Sequence, residues 1–470
     1  MARLAQRIQP FMSSTTPPTP DPRKGSLRQR LLVAAHWTLF GHLTTQLLRL
    51  GSNLVLTRLL APDLFGVMSV GYTVYTGLGM VSDLSLGPSV ARSRRGDEPT
   101  FLNVVWITQI GRGVLVTLCA LALSAALGIG GSSALFAPHS VYADPRVPWL
   151  LAVVALYGII GGFESTRSLW ARRNLSLAAL TKLDIVVQVS TTAFMLVWAW
   201  IDPSIWALGA GWVFGVALRT ALTHLVLPGP KNRFEWDRTA FAEIIAFGKW
   251  ALVSSPIAFL LNSGDRLVLG ALLSASEMGF YSIALLLVAA LQAFVLKLTG
   301  QSVQAALSEV VREKPAALKA SLYRVRLPLD IACGVTGGAL FILGETVVRV
   351  LYDDRYLPAG WMLGVLALTL AVTQFNVFDQ CLIALGRMKL LSGLNLARLF
   401  ALYSFIPVSF LVWGVKGAII AVPASAAVNT LILLGVQARL RLLDIRLELR
   451  LVPLLGIGLA LGALVRWAVG

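Results

Sequence analysis

Charge is what this chain has least of. Only 13% of its 470 residues are charged and 56% are hydrophobic, with a mean hydropathy of +0.75. A soluble domain carries about 25% charged residues, so a fold that coats itself with polar groups in water is excluded. Cysteine is scarce too: Cys119, Cys333 and Cys381 lie far apart inside apolar runs, which supports neither a disulfide framework nor a metal site. The 4 histidines are scattered and read as structural or interfacial. No connection exceeds roughly 20 residues. The connection at 131–146 has Asp144 as its one carboxylate, too little for general acid–base work. Phosphate-cradling motifs and nucleophile constellations are missing. No enzyme and no cofactor are expected.

What the chain does have is apolar length. Runs such as 101–130, 177–200 and 451–469 carry few charges and last about 20 residues or more, enough to cross a hydrocarbon core of roughly 30 Å as helix. Lipid offers backbone polar groups no partner, so helices are the default. Thirteen segments are expected, beginning near Leu31, Phe65, Phe101, Val147, Leu177, Ile205, Phe241, Phe280, Leu327, Pro358, Leu391, Gly417 and Leu451. Residues 1–30, with Pro17, Pro18, Pro20 and Pro22 and no apolar core, read as a disordered basic tail rather than a signal peptide.

Charge sets the orientation. With the N-terminus in the cytoplasm and the loops alternating, 26 of the 40 Lys and Arg fall on the cytoplasmic side. The opposite side holds 5: Arg58, Arg146, Arg266, Arg355 and Lys416. That is a strong positive-inside bias. The net charge of +17 then follows from topology and contact with anionic lipid, and no nucleic-acid partner is needed.

An internal repeat divides the chain. Gly51-Ser-Asn-Leu-Val-Leu56 aligns with Gly264-Asp-Arg-Leu-Val-Leu269 at an offset of 213 residues (264 − 51), continuing through Leu59/Leu272, Gly66/Gly279 and Ser69/Ser282, with Trp37/Trp250 upstream. Six segments separate the copies, so the repeat is parallel. The expected fold is an all-α polytopic membrane protein of about 12–14 transmembrane helices, in two parallel six-helix repeats around a central cavity. Its parts are lobes at 31–227 and 241–437, a cytoplasmic linker at 228–240, and a basic loop plus one extra helix at 438–470.

Several motifs carry a family resemblance. The first half has Leu56-Thr-Arg-Leu-Leu-Ala-Pro-Asp-Leu-Phe-Gly66 and Ser82-Asp-Leu-Ser-Leu-Gly87; the second has Gly264-Asp-Arg-Leu-Val-Leu-Gly270, Glu277-Met-Gly-Phe-Tyr-Ser282, Arg355-Tyr-Leu-Pro-Ala359 and Ala384-Leu-Gly-Arg387. Their order and spacing resemble the polysaccharide-export or Wzx-type flippases of the multidrug/oligosaccharidyl-lipid/polysaccharide superfamily. The resemblance implies a bacterial cytoplasmic-membrane transporter that moves polyprenyl-diphosphate-linked oligosaccharide outward by alternating access, in contact with membrane lipid and with polymerase and export machinery. The Pro-rich tail and the odd segment count depart from that pattern. A multidrug exporter of the same superfamily is the nearest rival, expected to favour acidic and aromatic cavity groups. A membrane glycosyltransferase or polymerase would need a larger extramembrane loop.

A diphosphate head needs a polar path with fixed positive charge. Arg112, Arg219 and Lys297 fall deep within segments, where three lipid-facing bases would cost on the order of 8–10 kcal/mol, so a wet cavity suits them better. Lys182, Lys249 and Arg398 lie nearer segment ends and are expected to snorkel. Helix-face pairs account for Asp330 with Arg326 and for Glu345 with Arg349. Asp83, Asp184 and Asp379 have no such local partner, leaving ion coupling or an ion pair between spans. Arg49 and Arg266 occupy matching zones of the repeat, as flanks of the outer cavity mouth or as interfacial anchors.

Overall fold

The computed structural model describes residues 27–129, 136–299 and 301–469, with side chains described from 36 onward except 39, 294–299, 301–302 and 469. Most of the expected tail thus lies outside the described residues. Among the described residues the secondary structure is entirely helical. The first half runs α1 (Leu27–Leu59), α2 (Pro62–Val81), a short α3 (Leu86–Arg92), α4 (Pro99–Ile129), α5 (Arg146–Gly162), a short α6 (Arg167–Arg173), α7 (Leu177–Ile201) and α8 (Ile205–Leu225). Then come α9 (Arg238–Gly248), α10 (Ala251–Leu272), α11 (Ala275–Thr299), α12 (Gln301–Glu313) and α13 (Leu318–Leu351). The chain ends with α14 (Ala359–Ala367), α15 (Leu370–Thr373), α16 (Asn376–Ala384), α17 (Met388–Arg439), α18 (Ile445–Glu448) and α19 (Leu451–Val469).

Each of the thirteen expected segments falls on one of these helices or on a broken run of them. Nine helical stretches among the described residues are long and apolar enough to cross a membrane, or up to 11 if the bent pairs α5/α6 (62°) and α9/α10 (41°) each count as one. The gap from 12–14 has two physical causes. The 33 residues of α1 include Arg28, Arg30, Arg49 and Arg58, which depress its hydropathy. The 52 residues of α17 hold two of the expected segments on one hydrogen-bonded run, broken at Gly414, whose φ of 59° and ψ of −146° are non-helical. Gly tolerates that left-handed φ because it has no Cβ.

The 213-residue offset recurs in the helix bounds: α1 and α10 end at Leu59 and Leu272, α2 and α11 begin at Pro62 and Ala275, and α5 and α14 begin at Arg146 and Ala359. The two turns meet. A Cβ at Gly66 would lie 1.9 Å from the Ala275 carbonyl oxygen, and a Cβ at Gly279 would lie 1.9 Å from that of Pro62. Because 66/279 and 62/275 are offset mates, the contact is reciprocal. Small residues let helix backbones approach where no water is available to drive association. Around this seam Tyr356 Oη donates to Leu60 O (2.8 Å), Tyr352 Oη to Asn53 Oδ1 (3.1 Å) and Arg355 Nη2 to Arg58 O (3.0 Å). The largest buried cluster, including Leu60, Val67, Tyr281, Tyr356 and Leu363, lies here and joins both halves.

At the opposite end the 228–240 segment is bound to the first half. Asn103 Oδ1 accepts from Arg233 N (2.9 Å), Ser165 Oγ donates to Asn232 Oδ1 (2.6 Å), and Arg95 pairs with Asp237 (2.8 Å). Hydrogen bonds from Arg95 and Thr239 push the Asp237 carboxyl down to about 2. The extra helix α19 lies along α13, where Gly338 faces Leu455 O and Gly458 faces Val335 O at close range. Arg326, buried on α13, bonds Asp330 (2.9 Å) and Glu448.

Candidate functional site

A cavity of about 380 Å³ opens within the first half, between α2, α4, α5 and α8. Its geometry follows from the end of α5 at Gly162 and the 62° bend to α6. Gly158 and Gly162 bring α5 against α4, where a Cβ on Gly113 would lie 2.3 Å from Gly158 O. The bend that follows α5 exposes carbonyls that lipid cannot satisfy. Side chains take them: Gln109 Nε2 donates to the oxygens of Gly161 (3.2 Å), Gly162 (3.1 Å) and Glu164 (3.0 Å), Trp106 Nε1 donates to Phe163 O (3.3 Å), and His224 Nε2 lies 2.8 Å from that same oxygen. The bend delivers Glu164 to the cavity wall.

Arg112 lines this cavity, half-buried, and forms no ion pair with a carboxylate among the described residues. Its Nη2 donates to Gly79 O (2.8 Å) and its Nε to Ser82 Oγ (3.3 Å), at the C-terminal end of α2. A cation there also meets the negative end of the helix dipole. Two of the five guanidinium N–H groups are so engaged, leaving the rest for the cavity.

Arg219 differs. It lies between two carboxylates, with Asp184 at 2.5 Å and Glu164 at 3.3 Å. Three formal charges therefore sum to −1, and Arg219 and Asp184, which the sequence left apart, are partners across α7 and α8. Asp379 is likewise bound by two parallel bonds to Arg398 (2.8 and 3.0 Å), so Arg398 reaches a carboxylate in place of the headgroups. Asp83 accepts from Ser255 Oγ (2.7 Å) on α10 and from Ser85 N (2.9 Å), and so touches both halves. Arg326 pairs with Asp330 as expected, whereas Glu345 meets Arg466 (3.3 Å) on α19 and not Arg349. Lys182 and Lys249 lie over the rings of Trp37 (5.9 Å) and Trp250 (5.7 Å). Arg49 is exposed on α1 and Arg266 half-buried on α10, neither in an ion pair among the described residues. The Lys297 side chain lies outside the described residues. Among those described, no group of His, Cys, Asp and Glu could hold a metal ion.

Sequence reasoning missed Glu164, Gln109 and the aromatic wall of Tyr72, Tyr75, Tyr157 and Trp212. Gly158 and Gly162, four residues apart, are a small-residue motif that could have marked the α4/α5 contact. A second cavity, about 690 Å³, spans the halves at the 228–240 end, between residues of the 85–94 and 243–254 stretches. A third, about 330 Å³, lies between α1 and α7 and includes Asp184.

The architecture is that of a multi-pass helical membrane protein. It aligns with a lipid II flippase, MurJ, in an inward closed conformation, at a TM-score of 0.63 and 11% identity over 89% of this chain and 90% of that one. It also aligns with an inward-facing multidrug resistance transporter of the MATE family, at a TM-score of 0.59 and 12% identity over 86% and 95%. At such identities the likeness is one of fold alone. In sequence, residues 55–360 match the family of polysaccharide biosynthesis proteins, and the chain belongs to that family. It is 20% identical over 418 residues to an uncharacterized membrane protein in the cps region of Klebsiella pneumoniae, covering 87% of this chain and 82% of that one. It is 21% identical over 265 residues to the lipopolysaccharide biosynthesis protein WzxC of Escherichia coli (strain K12), covering 55% and 50%.

Proposed function

We infer that this protein flips a polyprenyl-diphosphate-linked oligosaccharide across the bacterial cytoplasmic membrane by alternating access, with its N-terminus in the cytoplasm, and passes it to a polymerase and export machinery. The observation that carries this reading is the polysaccharide-biosynthesis match over residues 55–360 on a chain made of membrane-length helices. No bond is made or broken in such a step, so no catalytic group is required. In this orientation the Gly66/Gly279 seam closes the outer end. Arg112 offers the diphosphate a fixed charge in a low-dielectric wall, where it holds an anion better than in water. Lys297, Arg49 and Arg266 extend the cationic path. Asp184, paired with Arg219, and Asp83, which bonds Ser255 across the halves, are the candidates for binding a coupling ion. Asp379 is committed to Arg398 and is the weakest coupling candidate.

The test is export in a strain lacking the native protein. Arg112→Ala is expected to leave lipid-linked saccharide on the cytoplasmic side, with the variant still inserted. Normal export by Ala variants at Arg112, Arg219 and Lys297 overturns the cationic path. Failure of the unaltered chain to restore export overturns the flippase reading. One observation favours a second reading: Glu164 beside four aromatic rings suits a lipophilic cation. Resistance to tetraphenylphosphonium conferred by the chain would support that alternative.

A further inference from the structure

Tyr75 and Trp212 pack against the core on one side, and with Tyr72 and Tyr157 they form an aromatic wall of the first-half cavity on the other. Trp212 on α8 lies 4.8 Å, ring centroid to ring centroid, from both Tyr72 and Tyr157 and 5.5 Å from Tyr75; Tyr75 and Tyr157 are 5.4 Å apart. Rings that only fill a core are covered, but Tyr72 is 43% exposed and all four line the cavity. None of the three phenol hydroxyls, nor the indole N–H, has a hydrogen-bond partner among the described residues. These groups are not sealed in a core but face one open space, where each is free to bond a ligand with hydroxyls of its own. The volume, about 380 Å³, falls within the range of small-molecule sites, roughly 300–1,000 Å³.

The chemistry of the wall selects among ligands. Flat aromatic faces receive the C–H face of a pyranose, and phenol and indole groups at their edges serve its hydroxyls. Arg112 lines the same space with no carboxylate to neutralise it, which disfavours a cation. Glu164, the carboxylate that would attract one, is already held by Arg219 at 3.3 Å.

We propose that this wall is a saccharide platform. A hexose ring stacks on Trp212 and Tyr72, Tyr75 and Tyr157 bond its hydroxyls, and Arg112 holds the phosphate on its anomeric carbon. The proposal rests on the flippase reading and assigns the sugar, rather than the lipid, to the first half of the chain.

The probes are hexose 1-phosphates and the parent free hexoses (glucose, galactose, N-acetylglucosamine), added to the full chain in lipid nanodiscs and followed by saturation-transfer NMR. At least one hexose 1-phosphate is expected to bind more tightly than its parent sugar. Trp212→Leu and Tyr72→Leu are each expected to weaken it about tenfold. Arg112→Gln should abolish the preference for the phosphate while the free hexose still binds, and Arg112→Lys should restore part of it. If no hexose 1-phosphate binds, or if binding is unchanged in both Trp212→Leu and Tyr72→Leu, the platform is overturned. Export by the same variants separates the two readings. Normal export with Trp212→Leu sinks the platform and leaves the flippase intact, whereas binding of tetraphenylphosphonium in place of every sugar sinks both.

Discussion

Gly66→Ala places a methyl group 1.9 Å from the Ala275 carbonyl oxygen, where ordinary contact begins at 3.4 Å, so the two must part by 1.5 Å (3.4 − 1.9). The obstacle is backbone in the first turn of α11 and has no rotamer to change. The turn must move as a unit, against the packing of Met278 and Tyr281 in the core that α11 shares with α2. Overpacking of this kind costs about 1–3 kcal/mol. Gly279→Ala presses Pro62 O at the same 1.9 Å and is expected to cost as much. The two should not add: once either methyl has parted α2 from α11, the second enters a gap already opened, with a coupling of about 0.5–3 kcal/mol. Gly51→Ala and Gly111→Ala are the controls, since a Cβ at either meets nothing within 4 Å. They are expected to be neutral or to stabilise by up to about 1 kcal/mol. The assay is denaturant unfolding of the four single variants and the 66/279 double variant in one detergent. Additive costs at 66 and 279, or no cost at either, would refute the reciprocal seam.

The ion pairs separate two arginines that look alike in sequence. Arg219→Ala strands Glu164 and Asp184 and is expected to lower stability by up to about 3 kcal/mol, against about 1 kcal/mol for Arg112→Ala, which loses a helix-end hydrogen bond; equal losses in denaturant unfolding would contradict the assignment. Asp237 sets an acid limit on the 228–240 segment. Its carboxyl titrates about 2 in the folded chain against an ordinary 3.8, so its support is present above 3.8 and is lost as pH falls through the folded value. Amide protection factors across the segment should therefore hold at pH 5 and fall between pH 4 and pH 2, and Arg95→Met should shift the fall to higher pH. For topology, single cysteines at Glu98 and Lys314 on a cysteine-free background should be labelled from the cytoplasm alone, and one at Asp202 from outside. The reverse pattern would invert every depth assigned above.

Composition and run length determined the membrane class by themselves. Hydropathy over some 20 residues is a local quantity, set before any helix meets another. The same holds for the segment starts, which fall on helices or, at Pro358, one residue before one, even where Gly414 or the α5/α6 bend interrupts the segment, and for the 213-residue offset, which reappears at Leu59/Leu272 and Pro62/Ala275. Tertiary structure decided the rest, because a charge inside a bundle is defined by what faces it. Arg112 and Arg219 were indistinguishable as deep bases. Helix crossing brought Asp184 and Glu164 to one, and to the other only the end of α2 and an aromatic wall. That wall draws on α2, α5 and α8, helices well separated along the chain, and no periodicity along one helix can show that their rings share a space. The glycine seam is the intermediate case: Gly66 and Gly279 are visible as offset mates in the sequence, but only the packing of α2 on α11 shows that each lies against the turn of the other.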